Sequence, residues 1–406
     1  MSESNLISRG IAPINNIEQQ QLFGEIEGVK LYNTSYAPGT KYELHYNDQG
    51  DYGIERERAL NNNTKDGVKT MTKEEQDQER SLSYALLKKF TMKIFSMDFT
   101  RFSFPVGYSE PRSFLERTTD LFSFLSTVFI DKALNTSVDE TRLVYIAMGV
   151  VSGFQLYMQS KKPWNPVLGE TYVGEWPNGV KIFGEQISHH PPISAFQIIG
   201  KNWKCRAQTH FSISAGIREV DILQIGTFYL ELQTDSGETV EYEWVFPNIG
   251  VFGILRGDRL VRVLGPLLVK DNTHDLSFRI DIYPKNDKNK GISDTRASLI
   301  YGGVFSTSRY TNPDGSINVS QIQYDTIVTG DYCDKVTSNG EVVFDIRTDI
   351  AQRPNNTSDD SMLLPSDSRF RLDRALLIQN RVDDSDEVKI MIEEMQRREE
   401  KMRILV

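Results

Sequence analysis

Hydrophobic and polar positions divide the chain into stretches of different rhythm. Residues 1 to about 70 are polar and rich in Asn, Gln and Gly. Only Lys30–Tyr32 and Lys41–Leu44 carry a hint of strand pattern there, and Asn61–Lys65 reads as an open loop. This arm is expected to be weakly structured, and no function attaches to it. Thr72-Lys73-Glu74-Glu75 has the form of a capping box opening a helix. Leu82, Leu86 and Phe90 follow at near-helical spacing beside Lys88, Lys89 and Lys93. Such a segment suits a membrane surface, a cover over an apolar cavity, or packing on its own domain. Two further helical patterns follow, Ser113–Leu134 and about 139–160. The second is capped by Ser137-Val138-Asp139-Glu140 and is apolar on nearly every side, so protein must wrap it.

From Gly169 to about Ile350 the rhythm shortens to strand-length runs. Turn signals punctuate it at Asn178-Gly179, Asp235-Ser236-Gly237, Arg256-Gly257-Asp258, Asn289-Lys290-Gly291, Pro313-Asp314-Gly315 and Asn339-Gly340. The pattern predicts a large meandering antiparallel sheet, for which curling into a barrel is the natural way to hide the edges. The fold class is therefore α+β, mainly β. Beyond a polar stretch from Arg347 to Pro365 and the charged run Leu364–Leu377, a last helix opens at Asp384-Ser385-Asp386-Glu387. Val388, Met391, Ile392 and Met395 form its apolar stripe.

Composition narrows the function classes. A hydrophobic content of 39% is enough for a sizeable core, and the net charge of −10 argues against a general nucleic-acid binder. Met1–Gln20 lacks the apolar core of a secretory signal, and the longest apolar stretch, Leu143–Phe154, is too short to span a bilayer. Two cysteines, Cys205 and Cys333, make neither a metal spacing nor a disulfide framework. A cytoplasmic protein is expected.

Three clusters carry candidate chemistry. Glu185-Gln186-Ile187-Ser188-His189-His190-Pro191-Pro192 reads as a strand end, because two prolines stop the ladder. Two of the chain's five histidines sit there side by side, and at a frayed strand end both imidazoles can turn to one target. Such a pair suits a dianion such as a phosphomonoester. Lys162-Pro163-Trp164-Asn165-Pro166 is a stiff loop presenting an ammonium and an amide together, as a phosphate requires. Lys389, Glu393 and Arg397, four residues apart on the last helix, read by themselves as a solvated, self-paired face.

KPWNPVLGETY followed by EQISHHPP, with LPSDSR and the Lys389, Glu393, Arg397 ladder further on, resemble the oxysterol-binding protein family of lipid-transfer proteins. Departures include Ile187 for a valine, Trp164 for a phenylalanine and Leu372 for a proline. The resemblance covers roughly residues 72–400. It implies one lipid-binding domain over 71–406, divided into a lid region (71–100), a helical part (101–168), a β-barrel (169–350) and a C-terminal segment with helix (351–406). The barrel would be incomplete and enclose an apolar lipid tunnel, with Leu82, Leu86 and Phe90 on the lid. It further implies a phosphoinositide headgroup site made of Lys162, Asn165, His189, His190, Lys389, Glu393 and Arg397. The implied function is non-enzymatic. One sterol or phospholipid at a time is carried between membranes and exchanged for phosphatidylinositol 4-phosphate, by a monomer in transient contact with the membrane surface. No cofactor or metal is implied.

Two alternatives compete. A lipid sensor or scaffold would bind without transporting. A metal-dependent hydrolase would use His189 and His190, but adjacent histidines make an awkward zinc pair and no third ligand has a recognisable spacing.

Overall fold

The computed structural model describes residues 52–90, 105–158, 161–215, 219–254, 256–282, 296–356 and 363–404. The polar arm is not structureless to its end. Gly53–Asn61 is helix α1, and Asn63–Thr64 (β1) and Gly67–Lys69 (β2) form a small hairpin in place of the expected open loop. Gly67, with φ +140°, has the backbone the turn demands. Tyr52 is buried: its hydroxyl donates to Asp120 at 2.9 Å and lies 2.7 Å from Ser123. Polar composition hid this because the segment contributes edges and charges rather than a hydrophobic face.

Helix α2 (Lys73–Phe90) opens with the expected capping box: Thr72 N–H donates to Glu75 and Glu75 N–H to Thr72 Oγ1. Its base is pinned by a buried pair, Glu79–Arg259, at 3.0 Å. Residues 91–100 of the expected lid region, residues 101–104 after it, and the side chains of Leu82, Leu86 and Phe90 lie outside the described residues. The next helical pattern is α3 (Phe114–Phe124), a π-helical turn (Leu125–Phe129) and α4 (Ile130–Leu134). Helix α5 (Asp139–Tyr157) starts where expected but is not capped by Ser137; Val138 is the N-cap and no side chain caps it. Gly149 and Gly153 let α5 cross α3 closely. A methyl on Gly153 would sit 2.3 Å from the Leu121 carbonyl oxygen.

Among the described residues, two strands form a separate parallel pair and eighteen form one sheet with antiparallel neighbours. It begins as a meander of β5 (Thr171–Glu175), β6 (Lys181–His189), β7 (Pro192–Gly200) and β8 (Trp203–Ala215). At β8 the sheet forks. Trp203–Ala207 pairs with β10 (Thr227–Gln233), whereas Phe211–Ala215 pairs with β9 (Glu219–Gln224). One arm runs from β10 through β11 (Thr239–Val245) and β14 (Pro266–Asp271) to β19 (Glu341–Asp345). The other runs through β12 (Asn248–Phe252) and β13 (Leu260–Leu264) to the β1–β2 hairpin. The sheet does not close, so the barrel is incomplete as expected. Turns at Gly179, Gly237, Gly257, Gly315 and Asn339-Gly340 have positive φ at the expected places; Asn289–Gly291 lies outside the described residues.

Helices α3 and α5 fill the apolar face of the sheet. Phe122 meets Phe228, Phe124 meets Phe344, and Phe154 meets Phe246 and Tyr332, with ring centroids 5.6–6.2 Å apart. Beside this core lies a buried ionic knot. Asp120 accepts from Arg112 at 3.2 and 3.0 Å and pairs with Arg117 at 3.2 Å, while Arg353 lies over the Tyr52 ring and bonds Glu55. Burial alone would raise the Asp120 pKa, but the three arginines outweigh it and hold the carboxylate ionised.

Near the C-terminus, α6 (Leu372–Ile378) is followed by α7 (Val382–Ile404). The last helix thus starts two residues before the expected Asp384 cap. Asn380 (φ +59°) takes the left-handed position that ends α6, so the chain can re-enter a helix at once. Ser385 is then inside α7, buried, and donates to the Asp373 carbonyl at 2.7 Å.

Candidate functional site

The site gathers where three elements end. Lys162–Trp164 (β4) runs parallel to Ser109–Ser113 (β3) and leads into the stiff loop with Asn165. This loop is stitched to the histidine-bearing strand: Gly169 N–H donates to the Gln186 carbonyl at 2.8 Å, and Gln186 N–H to the Glu170 carbonyl at 2.9 Å. Gly169, at φ +81°, makes that return possible. His189 is the last residue of β6, and His190 begins the turn into β7. The two rings lie 4.8 Å apart at 67° to each other. Helix α7 covers the other side, its Val388 and Ile392 packing with Val167, Leu372 and Leu376 in a small apolar cluster. Gln396 accepts from the Leu168 N–H at 3.4 Å, which fastens the helix to the loop.

All seven expected residues fall into this one region. Lys162 Nζ donates to Asn165 Oδ1 at 2.6 Å, leaving the amide nitrogen of Asn165 as a spare donor. Glu393 takes Lys389 at 2.7 Å and Arg397 at 3.3 Å, so the three form the four-step ladder read from the sequence. The electrostatics join the elements. Lys162 is pushed down to about 7, first by loss of hydration and then by Lys389, with Arg371 adding to this and Glu393 opposing it. His189 is pushed down to about 4, again by burial first and then by its neighbour His190. Glu393 and the Pro166 carbonyl oppose that shift and Arg371 adds to it, which places all of them within electrostatic reach of the ring. His189 Nδ1 is buried without a hydrogen-bond partner among the described residues. The half-buried Lys162 and Lys389, beside the neutral His189 imidazole with its spare ring nitrogen, make a socket for an anion with several oxygens.

Residues that sequence reasoning passed over support this socket from behind. Arg371 is buried, bonds the Asn165 carbonyl at 2.7 Å and Glu170 at 2.9 Å, and forks onto Asp373 at 3.1 and 2.6 Å. Glu170 in turn accepts from Val167 N–H at 3.0 Å and from the Ser113 hydroxyl. In sequence, Leu364–Leu377 looks like an ordinary charged surface run; the alternation of Asp and Arg was the only signal available.

No helix among the described residues is long and apolar enough to cross a membrane, and no group of three or more metal-ligating side chains occurs among them.

The family profile described as Oxysterol-binding protein matches residues 86–405. Oxysterol-binding protein 9 of Dictyostelium discoideum is 28% identical over 80% of this chain and 76% of its own length. Oxysterol-binding protein-related protein 3 of Homo sapiens is 28% identical over 76% of this chain, and oxysterol-binding protein homolog 2 of Saccharomyces cerevisiae 30% identical over 51%. The matches span only 34% and 16% of those two longer proteins. Among solved structures, the Osh1 ORD domain in complex with cholesterol superposes with a TM-score of 0.63 at 23% identity, covering 79% of each chain. The Osh3 ORD in complex with PI(4)P from Saccharomyces cerevisiae does so with a TM-score of 0.62 at 19% identity, covering 78% of this chain and 84% of that one.

Proposed function

The chain belongs to the oxysterol-binding protein family, a family of lipid binders and not of enzymes, and on that footing we propose that it carries single lipids between membranes. A sterol or another phospholipid is exchanged for phosphatidylinositol 4-phosphate, whose phosphomonoester occupies the socket of Lys162, Asn165, His189, His190, Lys389, Glu393 and Arg397. The observation that carries this reading is the convergence of a loop, a strand end and a terminal helix, 235 positions apart from Lys162 to Arg397, on one partly desolvated cationic pocket. The acyl chains enter an apolar tunnel in the incomplete barrel, with α2 leading to its cover.

The energetics favour a carrier. Each methylene exposed to water costs about 0.8 kcal/mol, so free escape of a two-chain lipid is slow. A protein that offers both a charged socket and an apolar interior lowers that barrier. Glu393 holds Lys389 and Arg397 in register while the socket is empty and can accept from inositol hydroxyls when it is filled. Structural neighbours solved with cholesterol and with PI(4)P support two cargoes of different polarity in one fold.

The test is extraction and transfer between donor and acceptor liposomes. His189→Ala combined with His190→Ala is expected to abolish extraction of the phosphoinositide while leaving the circular dichroism spectrum and melting temperature unchanged. Undiminished extraction by this variant would refute the headgroup assignment. Binding without transfer would instead establish the sensor reading.

A further inference from the structure

We propose that Arg371 is the positioning residue of the headgroup socket, holding the Lys162–Asn165 loop at its working distance from the Lys389–Glu393–Arg397 ladder. The inference rests on the headgroup reading above and adds to it a residue that touches no ligand.

Three contacts converge on one planar guanidinium. Its Nη1 donates to the main-chain carbonyl of Asn165 at 2.7 Å, while the side-chain amide of the same residue receives Lys162. The same nitrogen reaches Glu170 Oε2 at 2.9 Å, and Glu170 closes the loop by accepting from Val167 N–H. Nε and Nη2 fork onto the two oxygens of Asp373, in the first turn of α6, which packs on α7. The plane also lies 5.5 Å from the Trp164 ring centroid. Arg371 therefore bonds both halves of the socket, the loop on one side and the helical pair bearing the ladder on the other. Glu170 and Asp373 neutralise its charge locally, which suits it to set geometry and not to bind phosphate.

A lysine cannot reproduce this arrangement. It keeps the charge but offers three donors from a single point, so it cannot hold a carbonyl and two carboxylates in one plane. Arg371→Lys should therefore loosen the loop while keeping a compensated core.

The test uses the full chain and phosphatidylcholine vesicles containing phosphatidylinositol 4-phosphate, with melting temperature recorded for each variant. Arg371→Lys is expected to weaken phosphoinositide binding at least tenfold and to melt within a few degrees of wild type. In a background that already lacks both side chains the loop presents, Lys162→Ala with Asn165→Ala, the same substitution should cost less than about threefold, because the groups it positions are gone. Should Arg371→Lys fail to fold, Glu170→Gln, which keeps the shape and removes the carboxylate charge that Arg371 Nη1 meets, replaces it in the same cycle. Wild-type affinity in the variant, or an equal loss in both backgrounds, overturns the positioning role. A wild-type chain that takes up no phosphoinositide overturns the headgroup reading as well, and is recognised before any variant is measured.

Discussion

Lys162 is the residue whose chemistry is most sensitive to its surroundings. Its pKa is lowered to about 7, so near neutral pH the empty socket holds this ammonium only part of the time. An incoming phosphate favours the charged form, and binding should draw a proton onto the lysine. The sign follows directly: affinity falls as pH rises through about 7, because a proton must then be taken from an ever scarcer supply. On the acid side, the phosphomonoester loses its second charge near pH ~6. Phosphoinositide affinity should therefore peak between roughly pH 6 and 7. Titration calorimetry in buffers of different ionisation enthalpy should detect the proton uptake at pH 8. Lys162→Ala should bind more weakly and lose the alkaline limb of the profile. Before phosphate binds, His189, held near 4, is neutral throughout this range.

At the scale of elements, the buried ionic knot behind α3 welds the start of the described chain to the sheet. Asp120 is held ionised by Arg112, Arg117 and Arg353 despite its burial. Asp120→Asn would leave three arginines short of a counter-charge, and removing one partner of a buried network costs about 3–5 kcal/mol. Urea denaturation should register that loss. Because the folded pKa is depressed, the contribution is complete above the ordinary carboxylate range and fades as the pH falls through the lower folded value. A chain beginning at residue 72 should likewise melt well below wild type. It lacks the β1–β2 hairpin that covers β13, and Tyr52, which bonds Asp120.

These elements also separate what was legible in the sequence from what was not. The Thr72 capping box, the all-round apolar α5 and the glycine turns are set by local rules, and each appears where the pattern placed it. The structural part played by the charges of α1 and of the Leu364–Leu377 run, which the sequence showed only as a polar arm and a charged run, was hidden for one reason. A charged residue looks the same in sequence whether water or an opposite charge surrounds it, and its partners here lie up to 298 positions away. By pattern alone the seven socket residues read as three separate clusters, and only the family resemblance joined them into one site. Their meeting depends on the Gly169–Gln186 stitching and on the tight Asn380 turn, neither of which carries a pattern of its own.

At the scale of the whole molecule, the socket spans the length of the fold. Lys162 and His189 precede most of the strands, whereas Arg371, Lys389 and Arg397 come after the last of them. During synthesis, then, the barrel can be nearly assembled on the ribosome while the pocket for phosphate does not yet exist. On the proposed headgroup assignment, the polypeptide becomes competent for charged cargo only when the final turns of α7 clear the exit tunnel. A nonsense product ending near residue 365 should accordingly emerge as a half-made carrier, able to expose greasy surface to a bilayer but blind to inositol phosphate. Cells would have reason to degrade it quickly, and pulse-chase turnover of such a product against the intact chain would measure how quickly they do.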